Sequence, residues 1–453
     1  METTRHIRIL PWALCAALLA GPPAGQAQDI VSSGYASPPM AAPPAAGTRQ
    51  GSSIGTMTAV PSASANGVDA CDALAADPLD QERVKSVPPV ELDKMDGAAA
   101  LAACERALAE KPGILRFLYQ TARAREKQKE LAVAVELYRK AAGRGYAAAY
   151  AAMGYAYDNG EGVDQDQAEA LRWYSQAALR NSAWGMFNVG YFYDYGRGVP
   201  EDDVVALDWY MKAAAGGNAR AMTDAGYLLE TSSAVPRDLE QARQWYIRGA
   251  EAGNAVGMNN AAHFHLNGIG GPVDTAKALD WYTRAVAAGN ADAMNGLGYM
   301  YYSGIGVAKD VSRGMALYQQ ASDAGNITAL TNLGYAYETG EGALPDLHRA
   351  IEFYRRAAAG GDGVAFNNLA DFYDKGKAVT ADPAEAAEWM EKALRAGATF
   401  SRDQMRDNSG NWSSAFRKAL QQRLKRLKLY SGPIDGGFGA QTQAAIDRIF
   451  GVR

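Results

Sequence analysis

One pattern recurs along the middle of this chain at a constant spacing of 36 residues, and this spacing most limits how the chain can fold. No insertion or deletion separates the copies. They begin at Ala147, Ala183, Ala219, Ala255, Ala291, Ile327 and Gly363. A constant period of this size is typical of a solenoid, in which each copy is a helical pair that buries its apolar surface against its neighbours. We therefore predict seven helical pairs over residues 147–398.

Each copy has fixed small residues and fixed aromatic residues. Position eight is always small, which predicts that a neighbouring helix approaches closely there. The position-eight residues are Gly154, Gly190, Gly226, Ala262, Gly298, Gly334 and Ala370. Five copies then carry a Gly-x-Gly turn, such as Gly160/Gly162, because glycine readily takes the left-handed conformation that ends a helix. The second helix carries an aromatic pair in most copies, such as Trp209-Tyr210, which we assign to core packing rather than to a cofactor site.

These residues resemble a known repeat. The stretch Ala183-Trp-Gly-Met-Phe-Asn-Val-Gly-Tyr-Phe-Tyr, the turn Gly196-Arg-Gly-Val-Pro and the stretch Ala206-Leu-Asp-Trp-Tyr-Met-Lys-Ala-Ala are similar to the Sel-one-like repeats, relatives of the tetratricopeptide repeats. The resemblance implies an all-α fold, a right-handed α-solenoid of helical hairpins that is used for protein–protein contact. It also implies an adaptor or regulator, since bacterial members of this class are often periplasmic or secreted.

Helical geometry divides the first helix of each copy into two faces. In the second copy it predicts a core stripe of Met186, Val189, Gly190 and Tyr193. Positions two, six and nine lie on the opposite face, mostly as Asn and Tyr. The candidate partner-binding residues are Trp184, Asn188, Tyr191, Tyr227, Asn260, His263, Tyr299, Asn332, Tyr335 and Asn368.

Two interpretations of these residues stay open. An Asn amide can pair with the backbone of an extended peptide, and tyrosine offers contact area and a hydroxyl, so the residues could form a ladder for a peptide or for a partner's helix. Alternatively, they are consensus residues that stabilise turns or neighbouring helices.

The sequence predicts no enzyme, cofactor or metal site. It contains no nucleophile elbow, phosphate loop or zinc motif. His263 and His265 are two residues apart, so they do not share a helix face and do not form a metal pair. A buried neutral histidine is the favoured interpretation of His265.

The N-terminal region predicts export. Arg5 and Arg8 precede an apolar run over residues 9–20 that is too short for a membrane anchor, so we predict a signal peptide over residues 1–27. Residues 28–68 are rich in Pro, Ala, Ser and Gly and predict a flexible leader. After export Cys71 and Cys104 are expected to form a disulfide, although two buried free thiols are the alternative.

Residues 69–146 predict an N-terminal helical cap followed by a degenerate tetratricopeptide-like unit. Asp96 can cap a helix over Gly97 to Glu110. A helical pair is expected next, from Ile114 to about Lys127 and from about Glu130 to Ala142.

The C-terminal region predicts a different, basic element. We expect a linker over residues 399–414 and a small helical module over residues 415–453. The module resembles a small peptidoglycan-binding module in its L-x-x-L, G-x-x-D-G-x-F-G and T-x-x-A-[VI] pattern. The residues that carry the turn are Tyr430, Gly432, Asp435, Gly436, Phe438, Gly439 and Thr442. The resemblance implies that Asp435 holds the turn through backbone hydrogen bonds and that Phe438 fills the small core.

The module also departs from its pattern. Lys428 stands where glycine is usual, so the alternative is a module that only caps the solenoid. From Ser401 onward the net charge is +6, whereas the rest of the chain after the signal peptide has a net charge of −12. A solvated helix face explains much of this basic charge, but a protein partner or an anionic polymer could also bind it.

Together these features predict a periplasmic adaptor of a Gram-negative envelope. It would bind a protein partner on the solenoid, and its C-terminal module could contact peptidoglycan. We expect no nucleic-acid partner and no membrane-spanning segment. One alternative is a regulator that inhibits a sensor or an envelope enzyme, and a remote alternative is a cell-wall hydrolase.

Overall fold

A computed structural model describes residues 69–341 and 344–451. The expected signal peptide and leader lie outside these residues. The described part of the chain forms two compact units, which meet in sequence at Tyr146 and Ala147. All of its regular structure is helical, and none of its helices is long and apolar enough to cross a bilayer.

Over residues 69–146 the N-terminal unit contains four helices, α1 (Ala70–Ala75), α2 (Gly97–Glu110), α3 (Leu115–Lys127) and α4 (Leu131–Gly143). The carboxylate of Asp96 caps α2 by accepting hydrogen bonds from the backbone amides of Ala98 and Ala99, as predicted. Cys71 and Cys104 form a disulfide that joins α1 to α2. Arg123 in α3 donates a 2.8 Å hydrogen bond to the carbonyl of Ala75, so a buried cation also holds the end of α1.

The repeat unit begins with seven helical pairs, and the first helix of each pair begins at the residue that starts each sequence copy. The pairs are α5 (Ala147–Asn159) with α6 (Gln167–Ala178), α7 (Ala183–Asp194) with α8 (Asp203–Ala215), α9 (Ala219–Thr231) with α10 (Leu239–Glu251), α11 (Ala255–Asn267) with α12 (Thr275–Ala287), α13 (Ala291–Ser303) with α14 (Val311–Asp323), α15 (Ile327–Thr339) with α16 (Leu347–Ala359), and α17 (Gly363–Lys375) with α18 (Pro383–Arg395).

Side-chain caps set these helix starts. Asn218 caps α9 by accepting a 2.9 Å hydrogen bond from the amide of Ala221, and Asn254, Asn290 and Asn326 repeat this contact in later copies. An aspartate caps the second helix in every copy, as Asp238 does in α10. Caps at fixed positions explain why the helix boundaries follow the sequence period so closely.

The glycine at position eight packs directly on the tyrosine of its own second helix. A Cβ placed on Gly190 would lie 2.8 Å from a ring carbon of Tyr210, and the same contact recurs between Gly154 and Tyr174. The second-helix tyrosines are almost fully buried. The tyrosine of the pair is therefore part of the core, whereas the preceding aromatic residue, such as Trp209, is half-buried in most copies. The small residue is required because the tyrosine ring fills the space that its side chain would occupy.

The segment expected to be a linker is instead folded. Helix α19 (Thr399–Asp407) begins thirty-six residues after α17, so the period continues for one more helix start beyond the predicted array. Met405 and Trp412 are buried, and they anchor the segment to the core. The prediction of a linker was wrong because residues 399–414 are mostly polar, so Met405 and Trp412 form no apolar pattern that would indicate a packed helix.

The chain ends in two helices, α20 (Ser414–Arg426) and α21 (Ala440–Phe450). Helix α20 packs against α18, and α21 contacts both α18 and α19. Phe416 and Leu420 of α20 belong to the same apolar cluster as Met390 and Leu394 of α18. The small C-terminal module and the last repeat consequently share one core.

Candidate functional site

The first helix of each copy has a wider buried surface than predicted. In α7 the prediction of Val189 and Gly190 as core is confirmed, but Met186 and Tyr193 are only half-buried. Phe187 and Phe192, which lie outside the predicted stripe, are buried at 2% and 0% exposure. The reason is that α7 packs against both α6 and α8, so two surfaces of the helix are covered rather than one.

The position-six asparagines make hydrogen bonds inside the solenoid. Asn188 is buried, and its amide donates a 2.8 Å hydrogen bond to the carbonyl of Trp184, one turn earlier in the same helix. The amide of Asn332 donates a 2.8 Å bond to Asn295 in the preceding copy. Asn260 accepts a 3.1 Å bond from Asn259. These contacts favour a structural role for Asn188, Asn260 and Asn332.

The aromatic candidates of the second copy lie together at the surface. Trp184 stacks on Phe187 with ring centroids 5.3 Å apart, and Tyr191 contacts Tyr195 with centroids 4.5 Å apart. The guanidinium of Arg220, from the third copy, lies 5.1 Å from the Phe187 ring centroid and 5.9 Å from that of Tyr191. We call these five residues the aromatic patch. Tyr195 is 38% exposed and Trp184 and Tyr191 are half-buried, so the patch reaches solvent.

Two carboxylates border the aromatic patch. Arg220 forms an ion pair of 3.6 Å with Asp224. Burial, with a smaller contribution from the negative charge of Asp194, raises the pKa of Asp224 to about 7, even though Arg220 opposes the shift. Burial and the same two carboxylates raise the pKa of Tyr195 to about 12. The charge beside the patch therefore changes near neutral pH.

The remaining ladder positions are spread along the array. Tyr227, Tyr299, Tyr335 and Asn368 are half-buried. Burial lowers the pKa of His263 to about 4, so its ring is neutral at pH 7. The structure places these residues at equivalent positions of successive copies but does not gather them into one cluster.

His265 is buried and lies next to a cation. Its Nδ1 is 2.6 Å from Nη2 of Arg243, which also donates a 3.0 Å bond to the carbonyl of Pro272. Burial, followed by the charge of Arg243, lowers the pKa of His265. The interpretation of a buried neutral histidine agrees with this geometry. Within residues 69–341 and 344–451 no three His, Cys, Asp or Glu side chains are grouped as a metal site.

The glycine turn of the C-terminal module is organised around Gln421, which the sequence reasoning missed. Gln421 is fully buried in α20. Its Nε2 donates a 2.8 Å hydrogen bond to the carbonyl of Gly437, and its Oε1 accepts a 2.8 Å bond from the amide of Gly436. Tyr430 and Thr442 also lie within 3.3 Å of its amide nitrogen. A single glutamine in a basic helix gives no periodic signal, so only the three-dimensional contacts identify it.

The other turn residues also bond to the module itself. The carboxylate of Asp435 accepts a 2.7 Å hydrogen bond from the amide of Gly437, which agrees with the predicted role of Asp435. The hydroxyl of Tyr430 donates a 2.7 Å bond to the carbonyl of Pro433, and Thr442 donates a 3.3 Å bond to that of Gly437. Phe438 is only half-buried against the core, which is filled mainly by other residues.

Polar contacts join the module to the last repeat. Arg423 of α20 forms ion pairs with Glu388 and Glu391 of α18. The amide of Ser413 donates a 2.9 Å hydrogen bond to the buried carboxylate of Asp374 in α17. One side of α20 is thus covered by the repeats, and the opposite side is exposed.

Comparison with known proteins identifies two kinds of module in the chain. A family model described as the Sel1 repeat matches eight segments, which together cover more than half of the chain: residues 125–146, 147–182, 185–218, 219–254, 255–290, 291–326, 327–362 and 365–397. The first of these precedes the seven predicted copies. A second model, described as a peptidoglycan binding domain, matches residues 413–449.

Solved structures were compared with the chain, and the first one below shows the same kind of fold. A crystal structure of c5321, a protective antigen present in uropathogenic Escherichia coli strains and displaying an SLR fold, is 25% identical, with a TM-score of 0.52, and the match covers 78% of this chain and 86% of that chain. A Sel1 repeat protein from Oxalobacter formigenes is 29% identical, with a TM-score of 0.49, and the match covers 53% of this chain and 96% of that chain. A comparison with curated protein sequences found no match.

Proposed function

Because the chain belongs to the Sel1 repeat family, whose members are generally non-catalytic scaffolds, we propose that it is a periplasmic adaptor of the cell envelope. In this proposal the repeats bind a protein partner and the C-terminal module associates with peptidoglycan. A module similar to the peptidoglycan binding domain is compatible with an envelope or secreted protein. The proposal takes the first 27 residues as a cleaved signal peptide.

The observation that carries the protein-binding part is the composition of the aromatic patch. Trp, Tyr and Arg contribute most of the binding energy in many protein interfaces, since they offer large contact areas and directional hydrogen bonds. Trp184, Tyr191 and Arg220 are partly exposed side chains of these three types on two adjacent copies. We therefore place the main partner contact at the second and third copies rather than evenly along the array.

The asparagines are assigned a different role. Asn188 bonds to its own helix and Asn332 to the preceding copy, so these amides are used inside the solenoid. Replacing Asn188 and Asn260 by Ala should lower thermal stability but leave the affinity for a partner unchanged. Replacing Trp184 and Tyr191 by Ala should weaken partner binding by roughly tenfold or more, which is about 1.4 kcal/mol. Equal loss of affinity in both double variants would contradict this assignment.

Site-specific photocrosslinking in cells tests the proposal directly. A benzophenone amino acid at Tyr195 should give a crosslinked partner of defined mass, because Tyr195 is exposed at the edge of the patch. Met211 on α8 is a matched control, since it is 44% exposed but lies on a second helix. Crosslinks from Met211 but not from Tyr195 would place the interface elsewhere. Sedimentation of the full chain with purified peptidoglycan tests the wall-binding part.

A further inference from the structure

The glycine turn of the C-terminal module leaves few polar groups for a ligand. Gln421, Tyr430, Asp435 and Thr442 bond to one another or to the turn backbone. Arg423 is engaged by Glu388 and Glu391 of the last repeat. The motif residues and the covered side of α20 are therefore used for folding, and a ligand must contact the module on its exposed side.

The exposed side of the module carries most of its charge. Residues 413–451 contain seven Lys or Arg and two Asp. Five of these cations are exposed: Lys418 near the start of α20, and the four residues Lys425, Arg426, Lys428 and Arg448. Within the described residues, the ion pairs of the module with carboxylates involve only Arg423. We call these four residues the basic cluster.

The basic cluster is gathered at one place, the C-terminal end of α20. Lys425 and Arg426 lie in its last turn, and Lys428 follows two residues later. Arg448 of α21 is brought beside them, because its guanidinium donates a 3.2 Å hydrogen bond to the carbonyl of Leu429. Two helices thus direct cations toward the same end of the module.

The backbone at Lys428 is a second, independent feature. Its φ is 59°, in the left-handed region that favours glycine. Lys428 is not needed to stabilise the C-terminal end of α20, because Lys425 and Arg426 already lie in its last turn. A lysine at this position therefore adds a charge to the cluster, although its backbone conformation is unfavourable for a residue with a side chain. Such unfavourable backbone conformations are often found at functional sites.

We propose that the basic cluster binds the free carboxylates on the peptide stems of peptidoglycan. This inference rests on the proposed wall association and assigns it to particular residues. Repeated carboxylates along a polymer match several cations held on one surface, and long-range attraction between them strengthens binding at low ionic strength. The contact is electrostatic, so it requires no motif residue of the glycine turn.

Sedimentation of the full chain with purified peptidoglycan tests this assignment. The charge-reversal variant Lys425→Glu/Arg426→Glu/Lys428→Glu should bind roughly tenfold or more weakly than the unchanged chain and should lose most of its salt dependence. The matched control is Lys85→Glu/Lys94→Glu/Lys140→Glu, which makes the same change of charge at exposed lysines of the N-terminal unit. Its binding should stay within about twofold of the unchanged chain.

Two further experiments show whether a loss of binding is caused by misfolding of the charge-reversal variant. Lys428→Gly places glycine at a left-handed φ, so it should fold at least as stably, yet it should bind roughly two- to threefold more weakly. Amidation of the carboxylates of the peptidoglycan should abolish binding of the unchanged protein. Each of these results supports the basic cluster as the contact.

The possible contrary results are distinct. If the unchanged chain does not sediment with peptidoglycan, the proposed wall association itself is wrong. If it sediments but charge reversal or amidation has no effect, only the assignment to the basic cluster is overturned. Charge-dependent binding to phosphatidylglycerol vesicles in place of peptidoglycan would also overturn it, in favour of a lipid surface.

Discussion

The hydroxyl of Tyr246 donates a 2.7 Å hydrogen bond to the carboxylate of Glu230 inside the core of the third copy. The same pair, a tyrosine of the second helix with an acid near the end of the first, recurs in the second copy as Tyr210 with Asp194 and in the sixth copy as Tyr354 with Glu338. Each pair ties the two helices of one copy together; the contact is buried in the third copy and partly buried in the second and sixth.

Removal of the Tyr246 hydroxyl should destabilise the third copy. Burial raises the pKa of Glu230, and the hydrogen bond from Tyr246 opposes that shift. Tyr246→Phe leaves the carboxylate without this donor, at a cost of about 1–3 kcal/mol. The loss should be larger at pH 8 than at pH 4, because only the ionised carboxylate needs the donor strongly. Urea unfolding at both pH values measures it, and Tyr246→Phe/Glu230→Leu should recover part of the stability. Equal losses at the two pH values would contradict this account.

Addition of one methyl group at Gly190 should destabilise the second copy. The new Cβ would lie 2.8 Å from the Tyr210 ring and 3.2 Å from the carbonyl oxygen of Ala206, so the helices must move apart. We expect Gly190→Ala to lower stability by about 1–3 kcal/mol. Gly143→Ala is the control, because its Cβ meets nothing within 4 Å and should be neutral or stabilising. Thermal melts of both variants decide the matter, and similar melting temperatures would refute the packing argument.

Replacement of Ala378 by glycine should stabilise the seventh copy. Ala378 has a φ of 54° and stands where earlier copies have the second glycine of the turn, such as Gly306 with a φ of 70°. An L-residue in this conformation costs roughly 1 kcal/mol, and the greater unfolded-state entropy of glycine offsets part of the gain. We expect Ala378→Gly to add about 0.5 kcal/mol, read as a higher urea midpoint. Ala384→Gly, within the helix α18, should lower it.

The N-terminal unit should be less stable at neutral than at acidic pH because of Asp80. Burial raises the pKa of this carboxyl from 3.8 to about 6, although the hydroxyl of Tyr146 opposes the shift. The folded unit then binds more protons than the unfolded chain between these pH values. Its stability should fall by about 2 kcal/mol as the pH rises from about 4 to about 6, and by about 3 kcal/mol over the whole titration.

The isosteric variant Asp80→Asn isolates this effect, since its side chain still accepts a hydrogen bond but does not ionise. Hydrogen exchange of peptides from residues 69–146, corrected for the intrinsic pH dependence, measures the opening free energy of the unit. The unchanged protein should lose protection across the pH window, and Asp80→Asn should lose much less. Parallel pH profiles would show that another group is responsible.

The helical architecture could be predicted because its signals are local and repeated. Every copy presents a small residue at position eight and five copies present the Gly-x-Gly turn, so Gly190 could be assigned a role from sequence alone. The partner of Gly190 could not be named, since the sequence shows that a small residue is needed but not that Tyr210 fills the space. The same limit applied to the face of α7, because a helix covered on two sides buries Phe187 and Phe192 outside any single stripe.

The candidate sites were less predictable, because they depend on contacts between copies. Trp184 and Tyr191 were identified from helical geometry, but Arg220 and Asp224 join them only after the second and third copies stack. Gln421 gave no signal for a related reason. Its partners, Gly436 and Gly437, lie in a turn whose path cannot be inferred from residue spacing.

The core shared by α18 and α20 has a mechanical consequence. A module on a flexible linker would let the solenoid rotate freely about whatever the module holds. Here Met390 and Leu394 of the last repeat lie in one apolar cluster with Phe416 and Leu420 of the module, and Arg423 braces the junction. A molecule bound at the module and another bound on the first helices of the copies would therefore be kept at a fixed distance and angle. The protein would act as a rigid spacer between its two partners rather than as a flexible tether.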